Sequence, residues 1–316
     1  MASLRGKRFR LVLWAGWFCC FAGYSAGSAA EPEIGAFSGG YSPTDAADFE
    51  AWVGRKSAYN VDFFSYEAFT GSNTMSASAG WDVGVWVSAD QPDRNMLFSV
   101  PLATLQDESL SDVAAGTYDS SFLATAQVIA KYYPKAIIRL GWEFNEAGLP
   151  WTAVGRPQDY IDAFRHVVAI FRSVSPDFVI DWCGGLGIQG IAAEDAYPGD
   201  DVVDVIGMDV YDDWNVNPTP TDPLQRWYNL QNEDHGLIWQ KQFAAAHNKP
   251  MSYPEWAVNH DEPYFIAQMY NWIMSNNVAY ASYWDSNSSF QGRIDDDQYP
   301  GVSATYKFLF GLLGPY

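Results

Sequence analysis

Eight short apolar runs separated by longer amphipathic stretches predict an α/β fold, a (β/α)8 TIM barrel built as a single domain. Three observations carry that expectation. The runs alternate with helix-like patterns, which argues for β/α units and a parallel sheet. Eight such units over about 250 residues match the barrel's count and length. The competing doubly wound sheet usually shows a glycine-rich phosphate turn after its first strand, and "GAFSGGY" at 35–41 has glycines without that spacing.

The strand-like runs, in order, are "EIGAFSG" (33–39), "YNVDFFSYE" (59–67), "NMLFSVPL" (95–102) and "AIIRLGW" (136–142). They continue with "FVIDWCG" (178–184), "VVDVIGMDVY" (202–211), "KPMSYPEW" (249–256) and "NVAYASYWD" (277–285). Helices fall between them. In "QDYIDAFRHVVAIFRSV", Tyr160, Ile161, Phe164, Val167, Val168 and Phe171 share one face, and Pro157 just ahead suits a first helical turn. "DEPYFIAQMYNWIMSNN" repeats the pattern, with Phe265, Ile266, Met269, Trp272 and Ile273. "GLIWQKQFAAAHNKP" stops at Asn248 and Pro250. "AADFEAWVGRKS" and "SSFLATAQVIAKYYP" fill earlier gaps, and 68–94 reads as a long loop with a short helix.

Ahead of the barrel, Arg5, Lys7, Arg8 and Arg10 precede the apolar "LVLWAGWFCCFAGYSA" and the small residues "GSAA". That order predicts a secretory signal peptide over 1–30, cut after Ala30, and a catalytic domain over 31–316. The stretch is short for a membrane anchor, and Phe18 stands where a lipobox before Cys19 needs a small residue. Losing four of 18 basic residues and none of 38 acids leaves a mature net charge of about −24. So acidic a chain repels nucleic acid and anionic membranes. The expectation is a secreted protein, extracellular or periplasmic, with no membrane association after cleavage and acting as a monomer. Cys183 alone remains, so no intramolecular disulfide forms. Following "FVIDW", it reads as a small buried hydrophobe. The 14 Trp, 19 Tyr and 19 Phe are the anomaly. Flat rings with polar tips suit sugar faces, and they equally suit an aromatic core.

In a barrel, function collects at the C-terminal ends of the strands. The fourth ends in Glu143, wedged between Trp142 and Phe144, and the seventh in Glu255, beside Trp256. The sixth offers Asp209, Tyr211, Asp212 and Asp213; the eighth offers Trp284 and Asp285. Glutamates on strands four and seven face each other across the barrel mouth. Glycoside hydrolysis needs such a pair: one carboxyl protonates the leaving oxygen, and the other attacks the anomeric carbon or activates water. Aromatic packing raises a carboxyl pKa, so Glu143 is placed to hold a proton. The bland alternative is that Glu143 pairs with a basic residue such as Arg139.

"RLGWEFN" resembles the strand-four motif of glycoside hydrolase family 26, a clan A family of retaining β-glycanases, with Arg139 four residues before Glu143. "SYPEWA" resembles its strand-seven motif and points to Glu255. "YPGDDVVDVIGMDVYD" and "YIDAFRHVVAIFRSVSP" extend the resemblance over roughly Gly35 to Leu313. The resemblance implies double displacement, with Glu255 as nucleophile, Glu143 as acid/base, and carboxyls about 5–5.5 Å apart. It implies that Tyr211 contacts the nucleophile and that Trp284 floors a sugar subsite. Arg139, Trp142 and Trp151 complete the expected substrate-binding set. Trp142 departs from the family's usual His, which puts the usual mannan preference in question. Glu146 is a weaker acid candidate. Trp182, Trp214 and Trp256 read as sugar platforms or as packing.

No cofactor is implied, and His166, His235, His247 and His260 show no metal-ligand spacing. His166, within a helical pattern, reads as structural. The expected partner is a β-linked polysaccharide or oligosaccharide: mannan, β-1,3-xylan, mixed-linkage glucan or a bacterial exopolysaccharide. The alternatives are a catalytically silent carbohydrate-binding barrel and a secreted partner-binding protein.

Overall fold

The computed structural model describes residues 31–89, 94–107, 109–212 and 221–312. The proposed signal peptide, Asp213 and Trp214 lie outside them. Eight strands form a closed barrel in sequence order: β1 (Glu33–Phe37), β2 (Tyr59–Phe63), β3 (Asn95–Val100), β4 (Ile137–Leu140), β5 (Val179–Gly185), β6 (Val205–Tyr211), β7 (Met251–Ala257) and β8 (Val278–Trp284). Every neighbouring pair is parallel, and β1 closes on β8 through five residue pairs from Glu33–Tyr280 to Phe37–Trp284. The predicted (β/α)8 class is the observed one. Strands buried on both faces read as continuous apolar runs, which is why all eight were visible.

The helices are α1 (Pro43–Val53), α2 (Met75–Ser88), α3 (Leu110–Ala114), α4 (Asp119–Tyr132), α5 (Pro157–Val174), α6 (Pro223–Asn232), α7 (Leu237–Ala246), α8 (Pro263–Ser275) and α9 (Pro300–Phe310). Five of these, α1, α5, α6, α8 and α9, start on proline, whose fixed φ and missing N–H cost nothing there. α5 buries Tyr160, Phe164, Val167, Val168 and Phe171, the predicted face.

The long loop expected at 68–94 is instead largely the 14-residue α2. Its buried residues Met75, Ala79, Asp82, Val83 and Trp86 do recur at helical spacing. An aspartate interrupts that stripe, and Ser, Ala and Gly fill much of the rest, so the amphipathic signal is faint. The fourth strand also ends two residues earlier than read. Gly141 has φ 55° and Glu143 φ 49°, so the chain turns out of the sheet at Leu140.

Candidate active site

The turn after β4 is built to hold Glu143 in a left-handed conformation that a non-glycine residue adopts only at a cost. A Cβ on Gly141 would lie 2.9 Å from Leu102 Cβ, so glycine is needed there for space as well as for φ. Three side chains clamp the turn. Tyr160 donates to the Gly141 carbonyl (3.1 Å) and Trp151 Nε1 to the Trp142 carbonyl (2.6 Å). Asn145 Nδ2 donates to the carbonyls of Gly185 (2.9 Å) and Gly187 (3.1 Å), while its Oδ1 accepts from Gly185 N (2.8 Å). The Glu143 N–H itself donates to the Cys183 carbonyl at 2.9 Å. The strain is thus over-determined by the neighbouring strand and helix.

Glu255 arrives differently. It lies within β7 directly after Pro254, where the register with β8 shifts between Tyr253 and Trp256. Register also shifts against β6 between Gly207 and Val210. Proline has no N–H for the ladder, and bulges re-aim side chains near active sites. Both Glu255 oxygens accept hydrogen bonds, Oε1 from Arg139 Nη1 and Oε2 from the Tyr211 hydroxyl.

Glu143 and Glu255 line one cleft of about 250 Å³, with Glu146, Asp209, Tyr211, Trp284, Ser289 and Phe290 among the other walls. Arg139, wholly buried, ties the site together from below. Its guanidinium also donates to Asp209 and, at 3.3 Å, to the Ser99 hydroxyl. Asp209 accepts from Cys183 Sγ at 3.4 Å.

The electrostatics are asymmetric. Burial, then the charges of Glu255 and Glu146, push the Glu143 carboxyl up to about 8, against the pull of Arg139 and a hydrogen bond with Asp209. Burial also pushes Asp209 well up, against Arg139. Glu146 is raised by burial and by Glu255. Arg139 makes its ion pairs with Asp209 and Glu255, so the bland reading of Glu143 as its salt-bridge partner is not what the site shows.

Several expected substrate contacts need correction. Arg139 has no exposed surface and reaches a substrate only through Glu255. Trp142 and Trp151 do not line the cleft. Trp151 is fully buried, 4.3 Å between ring centroids from Trp142. Trp142 packs edge-on to Phe63 (5.5 Å) and lies 5.5 Å from the Arg139 guanidinium, which it shields from solvent. Trp182 stacks on Phe144 at 4.7 Å, and Trp256 is likewise buried. Tyr211 and Trp284 do line the cleft, Trp284 backed by Phe37 at 4.2 Å. Asn145 closes the "RLGWEFN" motif and Tyr160 opens the apolar face of α5, but neither pattern marks them as clamps, and the walls Ser289 and Phe290 had no sequence signal. Asp209 was visible only as one acid among several at the end of β6. Among the described residues, no group of three or more His, Cys, Asp or Glu could hold a metal ion, and no helix is long and apolar enough to cross a membrane. His166 pairs with Asp119 at 2.7 Å, away from the cleft.

No family model matches the chain. It is 28% identical over 216 residues to endoglucanase H of Acetivibrio thermocellus, a match covering 63% of this chain and 23% of that protein. The chain therefore spans less than a quarter of the length of that relative. Solved structures similar to it include a GH26 β-mannanase from Bacteroides ovatus, 14% identical, covering 90% of this chain and 89% of that one at a TM-score of 0.60. A second is the catalytic domain of a GH26 endo-β-1,4-mannanase from Bacillus sp. JAMB-750, 14% identical, with 89% and 86% covered at a TM-score of 0.63. The shared feature is the barrel fold. At such identities the likeness extends to the fold alone.

Proposed function

We propose that the protein is a glycoside hydrolase of family 26 that cleaves a β-linked polysaccharide with retention of configuration. One observation carries the reading: two glutamates from β4 and β7 meet in one cleft in opposite settings. Glu143 is held protonated by burial and like charge, whereas both oxygens of Glu255 accept hydrogen bonds, from Arg139 and Tyr211, as a carboxylate's do. The family resemblance around "RLGWEFN" and "SYPEWA" and the partial match to an endoglucanase support the same class.

In the first step a Glu255 oxygen attacks the anomeric carbon. The glycosidic bond breaks, and its oxygen takes the proton from Glu143. Glu255 is now esterified to the sugar, and Glu143 is a carboxylate. In the second step Glu143 takes a proton from water as that water attacks the anomeric carbon, which frees Glu255 and restores the starting protonation. Tyr211 aligns the nucleophile, and Trp284, as a cleft wall, offers its ring to the sugar. The basic, apolar and small-residue order of 1–30 supports export of the mature enzyme.

The test is turnover on mannan, glucomannan, mixed-linkage glucan, β-1,3-xylan and bacterial exopolysaccharides, by wild type, Glu143→Gln and Glu255→Gln. Cleavage lost in both variants, with first-formed product of unchanged anomeric configuration by NMR, is the expected result. A substrate cut equally well by the variants would overturn the assignment.

A further inference from the structure

We propose that Tyr41 and Trp81 form a distal sugar-binding platform at the barrel rim, outside the catalytic cleft, for a neutral pyranose ring of the same polysaccharide chain. The inference rests on the hydrolase reading above and extends it to a site that reading does not use.

Trp81 is 59% exposed and Tyr41 40% exposed, and their rings meet at 4.9 Å between centroids and 66° between planes. Single exposed apolar residues need no explanation, but a paired indole and phenol left in water is a contact surface looking for a partner. The backbone adds a second, independent observation. Tyr41 has φ 59°, a left-handed conformation unfavourable for a bulky side chain, and such strain persists only where neighbours enforce it.

The enforcing group is a buried carboxylate. Asp62 Oδ2 accepts from the Tyr41 N–H (3.3 Å) and from Trp86 Nε1 (2.6 Å), and its Oδ1 accepts from the Phe63 N–H (2.8 Å). The Tyr41 hydroxyl reaches the Phe63 carbonyl at 3.5 Å. The protein thus buries an aspartate to hold an exposed ring in a strained pose. Burial and the neighbouring Asp82 and Asp62 push the Tyr41 phenol up to about 12, so it stays an uncharged donor.

One residue links the platform to the cleft. Phe63, which follows Asp62 at the end of β2, packs edge-on to Trp284 at 5.8 Å, and Trp284 is a cleft wall. Phe63 thus touches both places, the platform through its carbonyl and the cleft wall through its ring. A pyranose presents C–H faces to such rings and hydroxyls to their polar tips. Asp62 and Asp82 beneath the rim, on a chain of net charge −20, disfavour a uronate and leave a neutral sugar as the occupant.

The experiment measures affinity of the full-length Glu255→Gln protein, which does not turn over, for oligosaccharides of graded length. Adding Trp81→Ala should weaken binding of the longer chains by about 2- to 10-fold, and Trp81→Tyr should restore most of it. Tyr228→Ala, an equally exposed aromatic on α6, should leave affinity unchanged. In the active protein, Trp81→Ala should lower the ratio of kcat/KM on long chains to that on the shortest cleaved one by a similar factor. Equal affinity with and without Trp81 overturns the platform. If wild type cleaves no glycan but binds one, the hydrolase reading fails by itself, and the Trp81 comparison still decides the platform. A parent protein that binds no glycan sinks both.

Discussion

Replacing Glu143 by Gln should make the protein relatively more stable than wild type as pH rises. The half-buried carboxyl is pushed up to about 8 in the folded chain, against an ordinary 4.5. The folded state therefore binds the proton more tightly than the unfolded state does. Its contribution is fully present below about pH 4.5 and is lost as pH climbs through 8. Between pH 5 and pH 8 the unfolded chain releases this proton while the folded chain largely keeps it. Linkage over that window costs wild type about 3 kcal/mol. The substituted glutamine has the same shape and no proton to lose, so it escapes the cost. Titrating groups away from the site are common to the two proteins and cancel in the difference. For a chain of this size, the gap in Tm between variant and wild type should widen in the variant's favour by about 5–10 °C from pH 5 to pH 8. Thermal unfolding followed by tryptophan fluorescence in matched buffers measures it. A gap that stays constant across that range would refute the claim that Glu143 is the site's proton holder.

Other consequences follow from the same geometry. Arg139→Met leaves Asp209 and Glu255 buried without their cation and should cost about 3–5 kcal/mol in urea unfolding; a loss below about 1 kcal/mol would mean the pairs are worth little. Glu146→Gln removes a like charge that raises Glu143, so the basic limb of the kcat/KM profile should move to lower pH. An unmoved limb would show that Glu146 does not influence the acid. Asp285, titrating near 7, accepts from Ile294 N (2.7 Å) and Asp295 N (3.3 Å), anchoring the loop that carries Ser289 and Phe290 into the cleft. Asp285→Ala should speed limited proteolysis within 286–299 and raise KM more than it lowers kcat; unchanged cutting and unchanged KM would remove that loop from the site.

The barrel was legible because its strands are buried on both faces and largely apolar, so eight runs stand out from the amphipathic stretches between them, although β2 and β4 among others end earlier than the pattern reads. Glu143 was legible for the opposite reason: a carboxylate between an indole and a phenyl ring contradicts local pattern, and such conflicts gather at functional sites. What the pattern could not supply was direction. Trp142 and Trp151 lie close in sequence to a strand end, yet left-handed residues at 141 and 143 rotate that turn so that both indoles pack inward. Arg139 carries a signal of direction. Alternate residues of a strand share a face, so an arginine between Ile138 and Leu140 at a barrel strand's end points into the barrel, where it meets carboxylates rather than substrate. α2 stayed hidden because Asp82 occupies a core position in it, next to the exposed Trp81.

Four acids line this site with one arginine buried beneath them, and the roles proposed for the two glutamates follow from where that arginine reaches. A guanidinium bridging Glu143 and Glu255 alike would give them one electrostatic setting, and neither would differ enough to serve as acid against nucleophile. Instead its two Nη atoms reach Glu255 and Asp209, with Tyr211 supplying the second donor to Glu255. Glu143 receives only the longer-range part of that charge, while burial and two carboxylates act on it in the other direction. In low-dielectric surroundings each such contact weighs more heavily on where a proton resides. The division of labour proposed for the two glutamates is therefore set in the barrel interior, by a wholly buried arginine.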